Sequence, residues 1–127
     1  MTKEEMNEFL ESIGGLENGF RSDRGPIKDS GFFSVGSGWY PLIKDLITDL
    51  IELGWDKQTC QVKEKFGTLR FYYSGGNDTI DGMVQMAESF SGHICEGCGN
   101  LGSTQGNGWV RTECESCRNV RQKGEEQ

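Results

Sequence analysis

An α+β fold closed by a small cysteine-framed C-terminal unit is what the sequence predicts. Three observations carry that expectation. Leu42-Ile43, Leu46-Ile47 and Leu50-Ile51 recur every four residues after Pro41, an apolar stripe of helical period. Residues 59–73 alternate apolar and polar side chains on either side of Lys65-Phe66-Gly67, the pattern of a β-hairpin. Cys95-x2-Cys98 and Cys114-x2-Cys117 stand fifteen residues apart. At 127 residues a single domain is expected, with a helix and hairpin core over 1–92, the cysteine unit over 93–123 and a frayed tail over 124–127.

Each element has its own signal. Thr2 and Glu5 form a capping-box pattern, and Met6, Phe9, Leu10 and Ile13 share one helical face until Gly14-Gly15 stops it. Residues 16–38 lack a clean period and hold five glycines, so loops are expected, with a short strand near Phe32–Val35. Pro41 opens the second helix and Gly54 closes it. In the hairpin, Cys60, Val62, Leu69, Phe71 and Tyr73 are expected on the core face. Gln61, Lys63, Thr68, Arg70 and Tyr72 are expected on the other. After the turn Ser74-Gly75-Gly76, Asn77 or Asp78 caps a third helix to about Ser89, with Ile80, Met83, Val84, Ala87 and Phe90 inward. The helices are therefore predicted to pack on a small antiparallel sheet.

Net charge is −7, which disfavours general binding to nucleic acid, because such affinity comes from neutralising phosphates. Residues 1–60 carry 6 basic and 11 acidic side chains, and residues 61–127 carry 7 and 9. No apolar run reaches membrane-spanning length. The acidic first ten residues are unlike a signal peptide, so a cytoplasmic location is expected. There, cysteines serve as ligands or buried thiols more often than as disulfides.

The two CxxC pairs point to a metal. Two residues between paired cysteines let one tight turn aim both sulfurs at one ion, and four thiolates suit tetrahedral zinc. Cys95, Cys98, Cys114 and Cys117 are thus the predicted ligands of a structural Zn2+. Four thiolates leave no open position for a catalytic water. His93 is an alternative ligand close by, and Cys60 is expected as a buried thiol. A zinc-framed nuclease would place histidines between its cysteine pairs, and residues 99–113 hold none. HExxH, GxxxxGK[ST] and GxSxG are all absent, so a noncatalytic protein is expected.

Lys63, Lys65 and Arg70, with Tyr72 beside them, form a basic and aromatic patch on the outer hairpin face. The patch suits an anionic nucleotide-like ligand or a partner surface. The loops GSGWYP and SGGND each precede a helix, where free amides favour anions.

The segments GWYPLIKDLITDL (38–50), VKEKFGTLRFYY (62–73), CEGCG and CESC together resemble a group of small bacterial and phage or prophage proteins. The resemblance covers about 38–117 and implies an accessory protein with a zinc-binding end. It further implies a host protein as partner, bound and inhibited; it transfers no catalytic residues. A small-molecule sequestering protein and a zinc-ribbon transcription accessory factor are the alternatives. Oligomeric state is not legible in the sequence.

Overall fold

A computed structural model describes residues 1–18, 25–106 and 108–125. Part of the loop expected over 16–38, namely 19–24, lies outside the described residues, as do 126 and 127 of the expected tail. The architecture is α+β, with helices packed against a small, mainly antiparallel sheet and a C-terminal four-cysteine cluster.

Helix α1 spans Lys3–Ser12. Its capping box is formed in full: Glu5 N donates to Thr2 Oγ1 at 3.1 Å and Thr2 N donates to Glu5 Oε1 at 2.9 Å. Helix α2 spans Tyr40–Glu52 and buries Ile43, Leu46, Ile47 and Leu50. It ends in a Schellman turn. Gly54, at φ +92°, donates to Ile51 O, and Trp55 N reaches back to Leu50 O at 3.0 Å.

Strands β1 (Phe33–Ser34), β2 (Thr59–Lys65) and β3 (Thr68–Tyr73) form the sheet in the order β1-β2-β3. The hairpin β2–β3 is antiparallel, while β1 joins β2 in parallel, Phe33 opposite Val62. Val62, Leu69 and Phe71 point into the core with Met6, Leu10, Ile47 and Trp39. Each such side chain contributes roughly 1.5–3 kcal/mol when fully buried.

The hairpin departs from the expected alternation at one end. Thr59 pairs with Tyr73 but Gln61 pairs with Tyr72, so a β-bulge falls at Cys60. The extra residue inverts the phase. Thr59 turns inward and is buried, and Cys60 turns out to solvent, contrary to the buried thiol expected from strict alternation.

Helix α3, Asp78–Ser91, starts on Asn77, whose Oδ1 accepts from Ile80 N at 3.0 Å. It lies along β3 and serves that strand's outer amides. Leu69 N donates to Ser91 Oγ and Phe71 N to Glu88 Oε2, both at 2.8 Å. Tyr73 donates its hydroxyl to Asp81 on the same helix. Ile80, Val84 and Ala87 are buried as expected, but Phe90 is exposed; Ser91 takes the inward place beside β3.

Strands β4 (Ser103–Gln105) and β5 (Arg111–Glu113) pair antiparallel, and helix α4 follows over Glu115–Glu125. The helix carries Cys117 in its first turn and runs into the stretch expected to fray. Among the described residues, no helix is long and apolar enough to cross a membrane.

Candidate functional site

Cys95 and Cys98 lie in the turn after α3, Cys114 follows β5, and Cys117 sits in the first turn of α4. All four Sγ atoms lie within 4.8 Å of one another, and those of Cys98 and Cys114 are 3.6 Å apart. Tetrahedral coordination at about 2.3 Å per sulfur requires sulfur pairs roughly 3.8 Å apart. The Cys98–Cys114 pair stands near that spacing, and the cluster can hold a metal ion. His93 is not among the grouped ligands and is exposed.

The thiols differ in acidity for local reasons. Burial raises the Cys95 thiol, but backbone amides of Cys114, Cys98 and Gly97 together outweigh it and bring Cys95 down to about 7. Cys117 is pushed well up by its contacts with the sulfurs of Cys114, Cys95 and Cys98. A divalent ion held here would take the place of thiol protons, since only deprotonated sulfurs ligate a metal.

The cluster is fixed to the core at two places. At the first, Gly38 N donates to Glu96 O, Gly36 N to Glu96 Oε2 and Trp39 Nε1 to Ile94 O, each at 2.8 Å. A Cβ on Gly38 would fall 2.2 Å from Cys95 O, so only glycine allows this approach. At the second, buried Thr112 donates through Oγ1 to Gly67 O at 2.5 Å, tying β5 to the hairpin turn.

This arrangement changes the reading of the GSGWYP loop. Its Gly36 and Gly38 amides, expected to be available to an outside anion, are taken by Glu96 of the same chain. Burial pushes the Glu96 carboxyl above its usual range, while the Gly36 amide favours its ionised form. In SGGND, the Asn77 side chain caps α3.

The predicted patch is assembled in part. Lys63 lies opposite Arg70 across β2–β3, and Lys63 Nζ stands 5.7 Å from the Tyr72 ring centroid. Lys65 lies at the turn end, paired with Thr68, with its Nζ 5.5 Å from the Phe66 ring. A broad open groove of about 1060 Å³ crosses this side of the sheet. Lys63, Tyr72, Gln61, Cys60 and Ser34 line it, while Lys65 and Arg70 do not. Basic residues around the cysteine unit are partly neutralised: Arg121 forms a forked ion pair with Glu113 at 2.9–3.1 Å.

Sequence reasoning missed Glu96, Glu88 and Ser91, whose tasks are contacts with distant backbone amides. It also missed Phe66 and Trp109, both exposed near the turn. Phe66 carried a signal, because the first position of a tight hairpin turn ordinarily takes Asn, Asp or Gly.

Fold and cluster together define an α+β protein with a four-cysteine cluster able to hold a metal ion. The chain matches no protein-family model, no curated protein and no solved structure.

Proposed function

We propose that this is a noncatalytic, zinc-stabilised protein of the small bacterial or phage accessory kind, which binds a host protein and inhibits it. Four thiolates favour zinc among the common divalent ions and would saturate its coordination. The metal then serves to hold the cysteine unit against the core. The observation that carries the binding role is the groove over β1–β3. It is wide and open, lined by an aromatic ring with a lysine beside it, which suits a partner surface better than an enclosed ligand.

The test couples metal and partner. Native mass spectrometry of the protein purified without added metal should find one zinc per chain. Affinity purification against host lysate should retain one protein with the native chain and lose it with Lys63→Glu/Tyr72→Ala. Equal retention by both forms would count against the groove.

The Lys63–Tyr72 pairing favours a second reading, an anionic nucleotide-like ligand held by charge and stacking. Thermal-shift measurements with cyclic nucleotides and ADP-ribose derivatives test it. A saturable shift that Tyr72→Ala abolishes supports this reading, and flat curves reject it.

A further inference from the structure

Two surfaces outside the metal centre and the sheet groove match each other. The first is a knob. Phe66 holds φ +54° in the hairpin turn, a conformation that is strained for a bulky side chain. The ring gains no burial in exchange, since Phe66 is 70% exposed. Trp109 is 73% exposed, and the two rings line one cleft of about 360 Å³. Each ring has a cation over it: Lys65 Nζ at 5.5 Å and Arg111 Cζ at 5.7 Å. A strained backbone that holds an aromatic ring in solvent points to a contact outside the chain.

The second surface is a groove between α2 and α3. Leu42, Leu46, Met83, Met86 and Phe90 line about 260 Å³ of it. That is below the roughly 300–1,000 Å³ of small-molecule pockets, and is the size for a side chain. Met86 and Phe90 are both exposed there. Asp45 and Asp49, one helical turn apart, also line it, and neither has an ion pair among the described residues. Methionine-lined grooves adapt well to an inserted ring.

We propose that the protein self-associates by seating the Phe66–Trp109 knob of one copy in the α2–α3 groove of another, with Lys65 and Arg111 meeting Asp45 and Asp49. Apolar area then faces apolar area, and unpaired carboxylates face cations. The local pairing matters because copies with a net charge of −7 repel one another at long range. One inserted aromatic ring buries about 150–250 Å², with the second left to pack at the groove's rim. Stable interfaces need about 800 Å² per partner, so this contact is weak and concentration-dependent. Knob and groove are different patches. A two-fold arrangement that uses both on each copy closes a dimer, and a head-to-tail one closes a ring or propagates a chain.

Sedimentation velocity on the zinc-loaded full chain tests this from about 10 µM to about 1 mM, the range of weak dissociation constants. The wild-type average mass should rise across that range. Phe66→Asn suits the turn and removes the ring; it should weaken association at least about tenfold while leaving the melting temperature unchanged or higher. Trp109→Ala and Asp45→Lys/Asp49→Lys should weaken it similarly, with native circular dichroism. An equimolar mixture of Phe66→Asn/Trp109→Ala with Asp45→Lys/Asp49→Lys should form a mixed complex, because one partner keeps its groove and the other its knob. A wild-type chain that stays monomeric at about 1 mM overturns the proposal. So does association that Phe66→Asn leaves unchanged, or a mixture that stays monomeric.

Discussion

Replacing Gly38 with alanine should loosen the cysteine unit from the core. The new Cβ would lie 2.2 Å from Cys95 O and 2.6 Å from Glu96 O. Both are backbone atoms and cannot rotate aside. Relief to ordinary contact at 3.4 Å or more needs a shift beyond 1 Å. Overpacking against fixed atoms costs about 1–3 kcal/mol. The same shift stretches the 2.8 Å bond from Gly38 N to Glu96 O past hydrogen-bonding range, which adds about 1 kcal/mol. The total is about 2–4 kcal/mol, a large share of a stability of roughly 5–15 kcal/mol. Urea unfolding under saturating zinc should show the lower midpoint. If the cysteine unit must dock to hold its metal, competitive chelator titration should show affinity reduced by roughly 30- to 700-fold, at 1.4 kcal/mol per tenfold. Gly82→Ala is the control. It lies within α3, where an added Cβ meets nothing within 4 Å, so the same change should stabilise by about 0.5–1 kcal/mol. Wild-type stability and metal affinity in Gly38→Ala would refute the steric reasoning.

Other perturbations separate the remaining contacts. Of the five cysteines, only Cys60 lies outside the cluster and is exposed, so the zinc-loaded chain should show one thiol to a colorimetric thiol reagent and five after chelation and unfolding. Cys98→Ser should remove the zinc, read by native mass spectrometry. Thr112→Val should cost about 1–3 kcal/mol in chemical unfolding, because Gly67 O loses its buried donor. Burial, then the hydrogen bond to Asp81, raises Tyr73 from 10 to about 12. The neutral phenol is the favoured form in the fold. Its stabilisation is full below pH 10 and is lost as pH rises through about 12. Ultraviolet titration should show this late phenolate step, and Tyr73→Phe should abolish it.

Helix α2 was legible because six apolar residues at a repeat of four admit one burial, and Pro41 and Gly54 mark its ends in the same sense. The cysteine cluster was legible because ligand spacing is a local property. Cys60 was misplaced because a bulge adds one residue without altering residue types, and strict alternation then fails beyond it. Phe90 was misplaced because its helical position faces the α2 side, where exposed groove residues gather, while Ser91 meets Leu69 N. The GSGWYP amides illustrate the harder limit. A free helix start and one occupied by a carboxylate sixty residues away look alike in sequence.

That separation also orders events in time. Glu96 follows Gly36 by sixty residues, so at about 5–20 residues per second the receiving loop is made roughly 3–12 s before its occupant. Helices and hairpins form within microseconds. The first cysteine pair precedes the second by about 1–3 s at the same rate, so the four-sulfur set, and the anchor it gives the core, is complete only at the end of this stretch of synthesis.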